Sequence, residues 1–163
     1  MHIIKKNNLL FMTKNLNIYV ATMTGTALMV ADEIENFCKT EGIKTNIIEM
    51  DALVPTDLKH LNTPVLIVSS TYGQGDVPDG SKYFYNNLKS SNMGLEHIKY
   101  AVFGLGDMTY KDTFAYGGKK FDHLFSELKA NRIGEPFYHD ASDGSLPEEE
   151  AVNWFKEKIF KLL

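Results

Sequence analysis

Short apolar runs alternate with amphipathic runs along this chain, and that alternation most constrains what it can fold into. The apolar runs are Ile18–Ala21, Thr45–Met50, Val65–Val68, Tyr100–Phe103 and a weaker one at Ile133–Tyr138. After the first, third, fourth and fifth runs, apolar residues recur at i, i+3, i+4 and i+7, which is the spacing of a helix with one buried face. Strands that alternate with helices predict a parallel sheet covered by helices on both faces.

The character of the five runs predicts their order in the sheet. Val65–Val68 is the most hydrophobic run, as expected of a central parallel strand. The second run is less apolar, and Pro136 removes a backbone donor from the fifth, so these two belong at the edges. Right-handed crossovers then favour the order 2-1-3-4-5. We therefore predict an α/β fold, a three-layer α/β/α sandwich around a five-stranded parallel sheet.

Several local features carry narrower expectations. Gly42 is placed to end the first helix in a left-handed conformation, and Cys38 lies on the apolar stripe of that helix as a small core residue. Residues Ser145–Glu148 read as a capping box with a proline inside it. The helix that follows is expected to bury Val152, Phe155, Ile159 and Leu162, with Trp154 at the margin of that stripe.

Length and composition indicate one globular domain. The chain has 163 residues, of which 44% are hydrophobic and 23% charged. We expect the domain to span residues 16–163, because residues 1–15 precede the first apolar run and fit no periodic pattern. They are interpreted as a loosely ordered extension, or as the product of an upstream start with Met12 as the true initiator.

Charge, cysteine and histidine usage exclude several classes of partner. A net charge of −4 disfavours nucleic acid as a partner. One cysteine permits neither an intramolecular disulfide nor a cysteine zinc cluster, which fits a reducing cytoplasm. The five histidines are scattered, so no metal site is expected. No run approaches the roughly 20 apolar residues of a membrane span.

Polar, glycine-bearing loops follow the first, third and fourth strands, at 22–26, 69–76 and 104–110. In a sheet of this order they share one rim, where such folds bind ligands. The first loop offers hydroxyls from Thr22, Thr24 and Thr26 at the start of a helix, and no Lys or Arg lies between Ala21 and Val30. That combination suits an anion. The alternative is a threonine-rich helix start with Thr24 as its N-cap.

The other two loops each carry a tyrosine. Tyr72 and Tyr110 are placed to stack on a planar heterocycle, Asp107 to accept a hydrogen bond from it, and Gly73 to let a carbonyl approach without a clash. Taken singly, each tyrosine is equally consistent with surface packing, and Asp107 with an ordinary turn. Together the loops predict a site for a ligand with an anionic tail and a flat ring.

These motifs resemble those of the flavodoxin family. Thr24-Gly25-Thr26-Ala27 is similar to its phosphate signature, and residues 70–79 and 103–110 are similar to its S-T-Y-G-x-G-D-x-P-D and F-G-L-G-D-x-x-Y loops. The likeness is greatest to free-standing flavodoxins of the MioC type and to the FMN domains of NADPH-dependent diflavin reductases such as the sulfite reductase flavoprotein. Leu146-Pro147-Glu148 and the helix bearing Trp154 also match the MioC type. No insertion of about twenty residues interrupts the fifth run, so the chain resembles the short-chain members.

The resemblance implies FMN as the cofactor. It implies cofactor contacts from Thr22, Met23, Thr24, Gly25, Thr26, Ala27, Ser70, Thr71, Tyr72, Gly73, Gln74, Gly75, Gly104, Leu105, Gly106, Asp107, Tyr110, Phe114 and Asp143. There are departures from the family pattern. Met23 replaces the usual Ser or Gln, the segment after Tyr110 is one residue longer, and Ala115 stands where many members have Cys.

The function expected from this resemblance is single-electron transfer rather than catalysis on a substrate of its own. The expected partners are an NADPH-dependent flavoprotein reductase and acceptor enzymes, which a cytoplasmic monomer would meet transiently. Several aspartates surround the proposed ring, and Lys111 is the basic residue nearest to it in the sequence. Two alternatives remain open: an FMN-dependent NAD(P)H quinone or nitro reductase, and a non-flavin binding module on the same fold.

Overall fold

Strands and helices alternate through residues 14–163, the part of the chain that the computed structural model describes. The strands are β1 (Asn15–Ala21), β2 (Lys44–Glu49), β3 (Val65–Ser69), β4 (Lys99–Gly106), β5 (Asn131–Arg132) and β6 (Phe137–Asp140). The α-helices are α1 (Thr26–Thr40), α2 (Lys82–Ser90), α3 (Tyr116–Glu127) and α4 (Pro147–Trp154). Short 3-10 turns lie at Met50–Ala52, Pro55–Leu58, Asp79–Ser81, Met108–Thr113, Ala141–Asp143 and Phe160–Leu162, and α4 continues into a π-helical turn, Phe155–Ile159.

The strands form one parallel sheet in the order β2-β1-β3-β4, with β5 and β6 both paired to the free edge of β4. The predicted order 2-1-3-4-5 is confirmed. Ala21 lies opposite Ser69, and Ser69 lies opposite Gly104. The carboxyl ends of the three central strands are therefore level, and the loops that follow them emerge at one rim.

The fifth strand differs from the prediction, because it is split in two. Arg132 pairs with Tyr100, and Phe137 pairs with Phe103. Residues 133–136 therefore lie opposite only residues 101–102 of β4, so the excess chain loops out of the ladder. A left-handed Gly134 makes that bend, and Pro136 lacks the N–H that a continuous ladder needs. The edge position that Pro136 predicted for this strand is confirmed.

Each face of the sheet carries its own layer of buried residues, as the predicted sandwich requires. Helices α1 and α4 cover one face, where Ile18, Val20, Leu66, Val68 and Phe103 are buried. Helices α2 and α3 cover the other, over Tyr19, Ile67 and Val102. Alternate residues of each strand point to opposite layers. Cys38 is buried in the first layer, as expected.

Three details of the helices correct the expectations. Trp154 is a core residue, not a marginal one: it is 6% exposed, its ring lies 5.7 Å from that of Phe103, and its Nε1 donates to the Glu135 carbonyl. Leu162 is exposed instead of buried. The expected capping box does not form, because the N-cap of α4 is Leu146, whose side chain makes no capping bond.

At the amino end, Asn15 pairs with Lys44 and is already the first residue of β1. The strand therefore begins one residue inside the segment that was expected to be an extension. Residues 1–13 lie outside the described part of the chain, so a loosely ordered extension stays a prediction. Within residues 14–163, none of the helices combines the length and the apolar character needed to cross a membrane.

Candidate functional site

The loop between β1 and α1 ends at an open helix N-terminus. Gly25 is the N-cap of α1 in a left-handed conformation, with φ 98°, and no side chain in the described part of the chain caps the helix. The alternative with Thr24 as N-cap is therefore wrong. The hydroxyl of Thr22 accepts the Gly25 N–H at 2.9 Å, which holds the loop in its turn. The first-turn N–H groups of α1 have no acceptor within the helix, which makes this end suited to an anion.

The loop after β3 is a tight hairpin with an exposed tip. The backbones of Tyr72 and Asp76 exchange both N–H···O bonds, at 2.9 and 2.8 Å. Between them, Gly73 and Gly75 both have positive φ. The hairpin holds Tyr72 at the surface with 45% of its area exposed. A glycine beside an exposed ring leaves that peptide accessible from outside.

Thr71 ties this hairpin to the neighbouring elements. Its hydroxyl donates to the Leu105 carbonyl at the end of β4 and accepts the Gly117 N–H in the first turn of α3, at 2.9 and 3.0 Å. One side chain therefore sets the distance between the second loop, the third loop and α3. The sequence pattern assigned Thr71 only to the cofactor, so this bridging role is an addition.

The loop after β4 presents the second tyrosine. Asp107 caps the 3-10 turn Met108–Thr113 by accepting the Thr109 N–H at 2.8 Å. Tyr110 breaks the helical geometry inside that turn and is 68% exposed. The segment rejoins α3 through Ala115, which is buried and left-handed with φ 55°.

Two cavities open at this rim, and the peptide between Tyr72 and Gly73 borders both. The first has a volume of about 470 Å³ and is lined by Met23, Thr24, Thr26, Ser70, Thr71, Tyr72, Leu105, Gly106, His139, Ala141, Ser145 and Pro147. The second has a volume of about 620 Å³ and is lined by Gly73, Gln74, Thr109, Tyr110, Lys111, Asp112 and Thr113. Both volumes lie in the range of small-molecule sites. The first reaches the N-terminus of α1, and the second lies between the two tyrosine-bearing loops.

Sequence comparison identifies the fold that carries this rim. The family model described as Flavodoxin matches residues 18–155. The chain belongs to the flavodoxin family. It is 37% identical over 142 residues to a protein named Flavodoxin YqcA from Escherichia coli (strain K12), covering 87% of this chain and 94% of that one. It is 32% identical over 150 residues to the sulfite reductase [NADPH] flavoprotein alpha-component of Buchnera aphidicola subsp. Schizaphis graminum, covering 91% of this chain and 24% of that one.

Structural comparison agrees. The solved structure of a cysteine-to-serine mutant of flavodoxin from Pseudomonas aeruginosa superposes with a TM-score of 0.77 at 28% identity, covering 88% of this chain and 95% of that one. Flavodoxins are FMN-binding electron carriers, so the cofactor and the general role inferred from the sequence are confirmed at the level of the family. The geometry of the two cavities indicates which residues of this flavodoxin could hold FMN.

The residues of this flavodoxin fit FMN in shape and donor type. An uncapped helix N-terminus with threonine hydroxyls suits a phosphate monoester, and two exposed tyrosines suit a flat ring. Of the residues predicted to bind FMN, eight line the first cavity: Met23, Thr24, Thr26, Ser70, Thr71, Tyr72, Leu105 and Gly106. Three line the second: Gly73, Gln74 and Tyr110.

The remaining predicted residues line neither cavity: Thr22, Gly25, Ala27, Gly75, Gly104, Asp107, Phe114 and Asp143. Ala27 and Gly104 are buried beneath the loops. A side chain at Gly75 would lie 2.9 Å from the Tyr116 ring, so this glycine lets the hairpin pack on α3. Direct FMN contacts stay predictions for these residues and for those that line the two cavities.

Charges at the rim are more balanced than the sequence indicated. Lys120 pairs with Asp76 at 3.3 Å, and Lys82 pairs with Asp79 at 2.8 Å. The sequence pointed only to Lys111 as a basic residue near the ring. These two lysines come from α3 and α2, so the approach of Lys120 to the hairpin depends on tertiary packing. Part of the predicted negative charge is therefore offset.

The turn after β6 forms a wall that sequence reasoning largely missed. Asp140 accepts the Met108 N–H, which lowers its carboxyl pKa and joins this turn to the third loop. Asp143 accepts from the hydroxyl and then from the N–H of Ser145, and both bonds lower the pKa of its carboxyl. Ser145 is thus a cavity residue, not a helix cap. The cluster of Asp, Ser and Gly at 140–145 is typical of a turn. It does not indicate that this turn lines a cavity.

Proposed function

We propose that this protein is an FMN-containing carrier that moves single electrons from an NADPH-dependent flavoprotein reductase to acceptor enzymes. The observation that carries the proposal is the pair of adjoining cavities at the carboxyl ends of β1, β3 and β4, one at the α1 N-terminus and one between exposed tyrosines. FMN, when bound, supplies the one-electron chemistry that protein side chains lack. Everything else follows from how the chain holds and exposes the cofactor.

In this proposal the first cavity receives the phosphate. Backbone N–H groups at the start of α1, with the hydroxyls of Thr24 and Thr26, donate to the anion. The positive end of the helix dipole favours its charge. Ser70 borders the same cavity from the opposite loop and offers a further hydroxyl.

The ring is assigned to the rim between the tyrosines. Tyr72 and Tyr110 are exposed on neighbouring loops, where they would cover its faces and exclude water while leaving an edge open to a partner. Gly73 offers a peptide without a side chain at that edge. The second carboxylate oxygen of Asp107 makes no hydrogen bond within residues 14–163, which leaves it for a ring N–H.

The assignment as a carrier also rests on what surrounds the cofactor site. The second cavity opens on a surface formed by short loops, and a partner reaches the ring edge directly. The diflavin reductases supply a homologous arrangement, since 24% of the sulfite reductase flavoprotein corresponds to this chain. We accordingly propose a cytoplasmic, monomeric carrier that docks with its reductase transiently.

A spectroscopic experiment tests the cofactor and the electron count together. The purified protein, reconstituted with FMN, should show bound-flavin absorbance, and dithionite titration should pass through a paramagnetic species at half reduction, seen by EPR. Reduction in one two-electron step without such a species would contradict the single-electron role.

A second experiment separates the carrier from an enzyme. NADPH alone should leave the FMN oxidised, whereas catalytic amounts of a flavoprotein reductase should allow NADPH to reduce it. Rapid NADPH oxidation by the protein alone, with a quinone as acceptor, would instead support the reductase alternative.

A further inference from the structure

His139 is a buried titratable residue at the first cavity that the family motifs leave without a role. It lies on β6 and is 2% exposed, yet it lines the cavity together with Thr24 and Thr26. Its Nδ1 lies 2.6 Å from a carboxylate oxygen of Glu150 on α4. A buried imidazole held by a carboxylate has a fixed ring orientation.

The composition of the cavity wall makes this residue unusual. Among the described residues that line the cavity, His139 alone has a side chain able to carry positive charge near neutral pH. Its Nε2 makes no hydrogen bond within residues 14–163. Glu150 on α4 holds the other ring nitrogen, Nδ1. A buried ring with one unpaired nitrogen therefore lines a cavity that reaches an open helix N-terminus.

Within residues 14–163, the charged groups around His139 are carboxylates. Glu150 contacts it from α4, Asp140 is the last residue of β6, and Asp143 lies in the turn that follows. The pKa of Asp140 is lowered first by the N–H of Met108, and the charge of His139 adds a smaller effect in the same direction. Ser145 lies 3.5 Å from Nδ1 and bonds to Asp143, which links that acid to the ring.

We propose that His139 binds the phosphate monoester of the cofactor through Nε2–H, with Glu150 as the residue that positions the ring. This inference rests on the proposed function, in which FMN occupies the first cavity. The carboxylate at Nδ1 holds a proton on that nitrogen in either charge state. Only the doubly protonated ring then carries a proton on Nε2, because a neutral ring would present a lone pair to the anion.

The proposal predicts an effect that is selective for the phosphate. His139 contributes to binding only where the flavin carries the anion. Loss of this residue should therefore weaken the binding of FMN, whereas the binding of riboflavin, which has no phosphate, should not change.

The first test compares the two flavins and two variants by quenching of flavin fluorescence. Against FMN, His139→Gln should weaken binding about tenfold near pH 7, because a neutral donor replaces a charged one. Against riboflavin the same variant should bind as the wild type does. The matched control is His123→Gln, which removes an exposed histidine paired with Glu127 on α3, 3.0 Å apart, and should change neither affinity.

Two results of this comparison would contradict the phosphate contact. Equal weakening of FMN and riboflavin would assign His139 to the cavity wall and overturn the phosphate contact. Unchanged FMN affinity in His139→Gln would overturn it as well.

A second measurement needs no variant, in case His139→Gln does not fold. Nitrogen-15 NMR of the histidine side chains in the wild type should show a hydrogen-bonded Nε2–H of His139 with FMN and not with riboflavin. The same Nε2 signal with both flavins would reject the role of His139. Failure of the wild type to bind either flavin would instead reject the proposed function, so the two failures are distinguishable.

Discussion

At the scale of single residues, Gly25 decides how the first loop meets α1. Its φ is 98°, and a Cβ there would meet no described atom within 4 Å. The effect of Gly25→Val therefore arises from backbone strain alone, which costs about 1–3 kcal/mol. We expect the loop to relieve that strain by a shift that also moves the N–H groups facing the cavity. We expect FMN affinity, measured by fluorescence quenching, to fall about tenfold or more.

The chain offers a matched control for that prediction. Gly42 also has a positive φ, 73°, and open space around it, but it follows α1 at the far end of the helix. Gly42→Val should lower stability by a similar amount and leave FMN affinity unchanged. Similar affinities for the two variants would mean that the phosphate is held elsewhere.

Gly106 has a different reason to be glycine. A Cβ there would lie 2.9 Å from the Cα of Ala115, which is backbone and cannot move aside. We expect Gly106→Ala to lower the free energy of unfolding by about 1–3 kcal/mol, measured by urea denaturation. Gly80→Ala is the comparison, because its Cβ would meet Asp51 at an ordinary 3.6 Å. Equal midpoints for the two variants would contradict this packing.

At the scale of elements, the Thr71 hydroxyl joins the ends of β3 and β4 to α3. Thr71→Val keeps the shape but leaves the Leu105 carbonyl and the Gly117 N–H without their partner. Unpaired groups of this kind cost about 1–3 kcal/mol each. We expect lower stability and weaker FMN binding, with Thr71→Ser restoring both. The control is Thr40→Val, because the Thr40 hydroxyl donates only to an exposed carbonyl at the end of α1. A comparable loss of stability and FMN affinity in Thr40→Val would contradict the bridging role of Thr71.

At the scale of the whole molecule, the buried Tyr19 and Tyr100 and the half-buried Tyr138 are expected to set the alkaline limit of stability. Burial raises the pKa of Tyr19, Tyr100 and Tyr138 to about 12, helped in Tyr100 by a hydrogen bond to Asp122. A raised pKa contributes stability that is intact below the unfolded value of 10.0 and is lost as pH rises through about 12. The denaturant midpoint should therefore fall steeply between those limits.

Tyrosinate absorbance is the check on this alkaline transition. It should rise together with unfolding for these three tyrosines. Full tyrosine ionisation in a still-folded protein would show that burial does not protect these groups. Tyr100→Phe should flatten the dependence on pH, although it also removes the hydrogen bond to Asp122.

Much of the architecture was determined by the sequence itself, because it rests on local pattern. The period of the apolar residues distinguishes strands from helices, and the continuous apolar run at Val65–Val68 indicates a strand buried on both faces. Pro136 excludes its strand from the interior of the sheet. The loop residues around Gly25, Tyr72 and Tyr110 indicate a ligand with an anionic tail and a flat ring, and the resemblance of these motifs to the flavodoxin family implies FMN.

Only the tertiary structure decided what the loops meet. The split in the fifth strand depends on how residues 133–136 align with β4, and the burial of Trp154 depends on Phe103, far away in sequence. The lysines that pair with the acids of the second loop come from two helices, and Glu150 reaches His139 from a third. Contacts between distant segments follow from packing and register, which carry no local periodicity. For the same reason, the sequence did not indicate that His139, on the strand with the weakest apolar pattern, lines the first cavity.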